Sequence, residues 1–308
     1  MKILVYGAGV IGSIFAYKLK NGNNDVSILA RGKRLEDLKK CGLVIRDDIF
    51  HNVYKTDINV VDVLNKEDFY DIILVIMQRQ QVSNILPSLK ENISPTIIFT
   101  GNNPSGAEEY LNYINKTRIL LGFGGPGGYR DGHEIIAAYV DNAILYLGEL
   151  DCKVSKRMLE IEKIFTDSGI KVESIIDIDA WLKTHAAFIS PLAMGGYAAK
   201  KQNKTLGTDD YLLELALIGF RENIKALKKL QIPILPKKYK LLIHIPLGII
   251  KRKFKKLVNS EFGRIALSGH ANAAKNEMKK ISDDLFNVVR GVKTDLNSNK
   301  KLYELSYN

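Results

Sequence analysis

The chain has 308 residues, 46% of them hydrophobic and 26% charged, with a formal net charge of +11. That length exceeds one ordinary compact core and predicts about two domains, and the apolar share excludes wholesale disorder. Eleven basic residues lie between Lys225 and Lys256 with no acidic one, so the rest of the chain is electrically neutral. This segment carries no recognised nucleic-acid-binding motif, so no nucleic-acid partner is expected. Cys41 and Cys152 give no disulfide framework, which fits a reducing compartment. The opening MKILVYGAGVIGSIFAYKL has the charge and apolar run of a signal peptide but lacks a cleavage pattern. One of the two longest uncharged stretches, Thr184 to Ala199, is broken by Pro191, Gly195 and Gly196, so no membrane span is expected. A cytoplasmic location is the expectation.

In chain order, short β-branched runs predict strands at Lys2–Tyr6, Asp25–Leu29, Asp71–Ile76, Pro95–Phe99 and Arg118–Gly122. Helical patterns fall between them at Val10–Lys20, Gln81–Glu91 and Gly106–Asn115. Runs this short, each followed by a crossover, indicate a parallel sheet covered on both faces. Glu134–Tyr139 and Ala143–Gly148 read as antiparallel strands, Ser155–Ser168 as a helix and Lys171–Ile175 as a closing strand. From Asp177 the strand signal ends, and helices are predicted over Ala180–Ala199, Asp209–Leu230, Ile249–Val258 and Gly263–Arg290. Asp177 or Asp179 is placed to cap the first of these. The fold class is therefore α/β: a Rossmann-type domain over 1–176, then an all-helical domain over 177–308. A cleft between such halves is the default place for chemistry.

Gly7-Ala8-Gly9-Val10-Ile11-Gly12 follows the first strand and opens a helix. In that setting the first glycine permits a tight turn, the second a close backbone approach to a diphosphate, and the third helix–strand packing. The backbone from Gly7 to Gly12, Val10 and Ile11 included, is the candidate dinucleotide site. The second strand ends in Ala30-Arg31 rather than in the carboxylate that would accept from a ribose 2′-OH. A missing acid beside an arginine suits a 2′-phosphate, hence NADP over NAD.

Gln78 and Arg79 follow the third strand, either as cofactor contacts or as a solvated loop. Asn102, in Thr100-Gly101-Asn102-Asn103-Pro104-Ser105-Gly106, stands either near nicotinamide and substrate or in an Asn-Pro turn with Ser105 capping the next helix. Gly122 to Gly128 reads as a wide turn bordering the cleft. In the helical half, Lys183 edges an uncharged stretch. It suits a proton donor, and equally a lysine snorkelling from a first turn. His185 is a second-tier candidate. His270, Ala273, Ala274 and Glu277 share one helix face, where Glu277 either grips a substrate hydroxyl or pairs with Lys280 on the surface. No cluster has metal-ligand spacing, so no metal is expected.

The order GAGVIGS, Arg31, TGNNPSG, AWLKTHAAFISPL and NEM resembles the ketopantoate reductase family along almost the whole chain. The resemblance implies hydride transfer from NADPH to a small 2-oxo acid, with Lys183 as general acid and Asn102 as the cleft asparagine. Glu277 matches the carboxylate that holds a substrate hydroxyl, and Ser190 and His270 fall at substrate-side positions. A homodimer and a place in pantothenate biosynthesis are further expectations. The chain departs from the family pattern at Gln78, usually a lysine, and at Ala187 and Ser190, where asparagines are usual. Those departures leave two alternatives: another NADP-dependent hydroxyacid or imine dehydrogenase of the 6-phosphogluconate-dehydrogenase-like group, or a non-catalytic dinucleotide-binding regulator.

Overall fold

The structure, a computed structural model, describes residues 1–125, 127–263, 265 and 274–308. It divides into two compact units: Met1–Gly101 with Ala107–Ile178, and Asn102–Gly106 with Asp179–Asn308.

In the first unit β1 (Lys2–Tyr6), α1 (Val10–Asn21), β2 (Asp25–Leu29) and α2 (Gly32–Cys41) open the chain. There follow β3 (Leu43–Asp47), β4 (Asn52–Thr56), β5 (Asn59–Val61), β6 (Ile72–Val75), α3 (Leu86–Glu91) and β7 (Ile97–Thr100). The unit resumes with α4 (Glu108–Leu111), β8 (Ile119–Gly125), β9 (Gly128–Asp131), β10 (Glu134–Ala137), β11 (Ile144–Gly148), α5 (Lys156–Asp167) and β12 (Lys171–Ser174). The main sheet has the order β12-β11-β8-β7-β6-β1-β2-β5. Strands β5 to β8 run parallel through this order, and β11 alone pairs antiparallel, with β8. The order reverses at β1, whose carboxyl end is where such sheets bind ligands.

Residues Ile3, Val5, Ile28, Leu74, Ile98 and Leu120 are buried in one core with Ile14, Phe15 and Leu19 of α1. Complete burial of strand centres explains why these strands read as apolar runs rather than as alternation. A second sheet, β4-β3-β10-β9, lays Leu43, Ile45, Ile135 and Ala137 into the same core. The sequence reading missed β3, β4, β5 and β9, and it placed Glu134–Tyr139 without this sheet. β10 is antiparallel to β9 and parallel to β3.

Three sequence expectations for this unit are corrected. The helix expected over 81–91 is a 3₁₀ segment, Arg79–Ile85, followed by α3. Pro87 stands in the first turn of α3, where its missing N–H does no harm but cannot extend an earlier helix. The helix expected over 106–115 shrinks to one turn with Ala107, not Ser105, at its N-cap, because Gly106 has φ +79°. The glycines from Gly122 are not a wide turn: β8 runs to Gly125. A Cβ on Gly124 would lie 3.1 Å from both Ile11 and Phe15, so the glycine lets α1 lie on the strand.

The second unit holds α6 (Ile178–Lys201), α7 (Asp210–Lys229), α8 (Lys238–Leu242), α9 (Leu247–Val258), α10 (Lys275–Val288) and α11 (Asn297–Tyr307). Asp209 caps α7, accepting from the Leu212 N–H at 3.0 Å. Pro191 lies inside α6 and removes the N–H that would reach the Ala187 carbonyl. That carbonyl accepts instead from Asn223 Nδ2 at 3.1 Å, and Asn223 also donates to Asn299 Oδ1 at 3.2 Å. The apolar insert 241–250 within the basic segment packs on α7: Ile250 joins Leu213 and Leu217, flanked by Leu242, Leu247 and Phe254. Of the helix expected over 263–290, the described part is α10. Among the described residues no helix is long and apolar enough to cross a membrane.

Candidate functional site

The glycine loop sits at the end of β1, and each glycine is explained by a different neighbour. Gly7 has φ +127°, and a Cβ there would fall 2.0 Å from the Ile76 carbonyl oxygen. A Cβ on Gly12 would fall 2.0 Å from the Gly7 carbonyl oxygen, which locks α1 to the turn. Gly9, the N-cap of α1, has nothing within 4 Å of its Cβ position and is exposed. The loop is thus closed on the protein side and open at Gly9. The first N–H groups of α1, from Val10 and Ile11 onward, lack carbonyl partners within the helix. Exposed backbone donors beside an open glycine fit an anionic diphosphate.

At the end of β2, Ala30 is buried and Arg31 is the exposed N-cap of α2. The Arg31 guanidinium donates to the Tyr6 hydroxyl at 3.0 Å. Arg34, three residues on, is only 6% exposed. It donates from Nε to the Ala8 carbonyl at 3.1 Å, from Nη2 to Ser13 Oγ at 3.1 Å and from Nη1 to the His133 carbonyl at 2.7 Å. Burial, and after it the charge of Arg130, lowers the guanidinium to about 10.

After β6, Gln78 accepts from Gln80 Nε2 at 2.7 Å. Arg79 is buried, with its guanidinium 2.8 Å from a Glu109 carboxylate oxygen and over the Tyr110 ring. Its charge is therefore met by an acid of its own unit rather than by a solvated loop.

The helical unit brings together Asp179, Lys183 and the 102–106 loop. Asp179 lies in the first turn of α6 and its carboxylate pairs with the Lys183 ammonium one turn on. Lys183 is 12% exposed and Asp179 47% exposed, so the pair reaches solvent on the acid's side. A Cβ on Gly106 would lie 2.7 Å from Asp179 Oδ1 and 3.5 Å from Lys183 Nζ. The glycine at φ +79° therefore lets the loop close over this ion pair. Asn103 Nδ2 donates to the Gly106 carbonyl at 2.6 Å and holds the loop shut. The Oδ1 atoms of Asn102 and Asn103 are buried without a hydrogen-bond partner among the described residues, a cost an incoming donor would relieve.

Other candidates are placed differently. His185 stacks on Trp181 with ring centroids 5.1 Å apart, and burial lowers its imidazolium to about 4. Ser190 is buried and lies 2.8 Å from Ser282 Oγ, a contact inside the helical unit. Ala187 lies in the core with Phe220, Ile224 and Leu285. Glu277 is not a surface partner of Lys280: it is 5% exposed in the first turn of α10, and Lys280 pairs with Asp284. Burial raises the Tyr197 phenol, to which the Glu277 charge contributes. His270 lies outside the described residues. Among the described residues no group of acidic, histidine or cysteine side chains is arranged to hold a metal ion.

Residues 3–151 match the family model described as ketopantoate reductase PanE/ApbA. A 2-dehydropantoate 2-reductase of Archaeoglobus fulgidus is 28% identical over 195 residues, 62% of this chain and 63% of that one. The chain is similar in sequence to the ketopantoate reductase family. A 2-dehydropantoate 2-reductase of Pyrococcus horikoshii is 23% identical, covering 73% of each chain. The match to the Archaeoglobus relative spans a little under two thirds of that relative's length. Among solved structures, a 2-dehydropantoate 2-reductase of Geobacter metallireducens superposes with TM-score 0.78 at 15% identity, covering 99% of this chain and 98% of that one. A D-mandelate dehydrogenase solved with NADH and anilino(oxo)acetate superposes with TM-score 0.76 at 15% identity, covering 99% and 97%. At such identities these likenesses establish the shared fold.

Proposed function

We propose that the protein is an oxidoreductase that uses NADPH to reduce the carbonyl of a small 2-oxo acid, 2-dehydropantoate being one member of that class. The observation that carries this reading is the glycine loop, barred to a side chain at Gly7 and Gly12 and open at Gly9. Gly7, Gly9, Gly12 and the N–H groups of Val10 and Ile11 would hold the diphosphate. The absence of a carboxylate at Ala30 and the exposed Arg31 beside it support NADPH over NADH. Gln78 stands after β6, where a further cofactor contact would lie.

When bound, NADPH supplies a hydride. Lys183 would give a proton to the carbonyl oxygen as it becomes an alkoxide, and Asp179 would keep the ammonium in place until then. The buried Asn102 Oδ1 would accept from a cofactor amide or a substrate hydroxyl, and the buried Glu277 carboxylate from a substrate hydroxyl. Ser190 and the unplaced His270 stay as substrate-side candidates, and a homodimer through the helical residues 177–308 belongs to the same reading.

The test is NADPH consumption by the purified protein with a panel of 2-oxo acids, including 2-dehydropantoate and aryl members such as phenylglyoxylate. Turnover with at least one acid is expected, faster with NADPH than with NADH. Lys183→Ala should lower it roughly a thousandfold. Unchanged turnover in that variant would remove Lys183 from the mechanism. NADPH binding with no turnover on the whole panel would leave a non-catalytic dinucleotide-binding protein.

A further inference from the structure

Arg34 is a buried cation of the first unit that the proposed chemistry does not use. Its three donor nitrogens reach three different segments: the Ala8 carbonyl in the glycine loop, Ser13 on α1, and the His133 carbonyl before β10. None of these partners is a carboxylate. A guanidinium so nearly excluded from water, with the Asp37 charge acting on it but no carboxylate bonded to it, is costly unless something holds it there.

The Ala8 carbonyl shares its peptide unit with the Gly9 N–H. In a trans peptide the C=O and N–H point in opposite directions. Drawing the Ala8 oxygen onto Arg34 Nε therefore turns the Gly9 N–H away from α2. Gly9 is exposed, and its N–H has no acceptor among the described residues. The bond from Nη2 to Ser13 Oγ ties the same guanidinium to the second turn of α1, the helix whose N-terminus flanks Gly9.

Resting on the reading of the loop as a dinucleotide site, we propose that Arg34 is a positioning residue that aims the Gly9 N–H at the dinucleotide diphosphate. It acts through the Ala8–Gly9 peptide and touches neither cofactor nor substrate. The diphosphate is common to NADPH and NADH, so losing Arg34 weakens both alike. Arg31, placed at the end of β2, bears on the 2′-phosphate, and losing it penalises NADPH alone.

The experiment measures NADPH and NADH dissociation constants by nicotinamide fluorescence for wild type, Arg34→Ala, Arg34→Lys and Arg31→Ala, with thermal melts of each. Arg34→Ala should weaken both dinucleotides at least about tenfold, leaving their affinity ratio within about twofold of wild type. KM for NADPH should rise in step while kcat at saturation holds. Arg34→Lys, which keeps the charge but loses the fork, should fall between the two. Arg31→Ala should shift the ratio toward NADH. Wild-type-like affinity in folded Arg34→Ala would overturn the proposal. So would a loss confined to NADPH, or wild-type affinity in Arg34→Lys should the alanine variant not fold. Failure of the wild type to bind either dinucleotide would overturn instead the reading of the loop on which the proposal rests.

Discussion

Replacing Gly12 by alanine would press a Cβ to within 2.0 Å of the Gly7 carbonyl oxygen, a backbone atom that cannot swing aside. A clash of this kind should cost about 3 kcal/mol or prevent folding outright. Gly9→Ala meets nothing within 4 Å, and its φ of −75° suits any residue. Its melting temperature should stay within about 2 °C of wild type while NADPH binds at least about tenfold more weakly, because the added methyl occupies the open side of the loop. Melts and fluorescence titrations of the two variants separate glycines needed for folding from the one kept for a ligand. Equal affinity in Gly9→Ala would mean that nothing approaches the loop there. These roles were legible in the sequence because each is a backbone requirement at fixed spacing. Arg34 was not: two of its acceptors are main-chain carbonyls, which leave no mark on residue type. Glu277 was legible as a candidate, but its burial near Tyr197 of α6 is a tertiary fact that periodicity alone does not give.

At the scale of elements, α6 carries the candidate general acid on a helix with a proline inside it. Its continuity depends on Asn223 of α7, which serves the Ala187 carbonyl that Pro191 leaves without an N–H. Asn223→Ala would bury that carbonyl, and the Asn299 amide oxygen, without this donor. A loss of about 2–3 kcal/mol is expected, seen as a lower urea midpoint with an unchanged slope. A midpoint equal to wild type would show that the carbonyl finds another donor. The sequence reading carried α6 through Pro191 because the apolar pattern on either side keeps one phase, and it could not foresee the donor. It missed α11, whose buried positions include Ser298, Asn299 and Ser306 beside Leu302. A helix that buries polar groups shows little amphipathic pattern. β3 and β4 escaped for a related reason: charged and polar residues such as Arg46, Asp47, Lys55 and Thr56 stand in or beside short apolar stretches. Strand Lys2–Tyr6 came through because four of its five residues are buried, and helix Asp210–Lys229 because its buried apolar residues recur along one face.

For the molecule as a whole, the net charge of +11 resides in residues 225–256, and the structure divides that segment into bound and unbound charge. Lys251 lies 2.9 Å from Glu214 and Lys255 2.7 Å from Asp210, so these lysines of α9 tie the insert to α7. Arg252, Lys253 and Lys256 are exposed on the same helix and make no ion pair among the described residues. Pairs this open to water contribute little each, about 0.2–1 kcal/mol, so Ile250 and its neighbours rather than the charges hold α9 in place. None of the residues assigned to the glycine loop, Arg31, Lys183 or Glu277 belongs to this segment. Exchanging Arg252, Lys253 and Lys256 together for glutamine should therefore leave kcat/KM and NADPH affinity within about twofold of wild type. The melting temperature should move by no more than surface substitutions ordinarily cause, about 0.5 kcal/mol in stability. The informative condition is low ionic strength, where unscreened charges act over about 30 Å. If association of the anionic dinucleotide slows there in the triple variant but not at physiological salt, the segment steers ligand from a distance. Identical rates at both salt concentrations would confine its charge to solubility and surface hydration, and leave catalysis to the electrically neutral remainder of the chain.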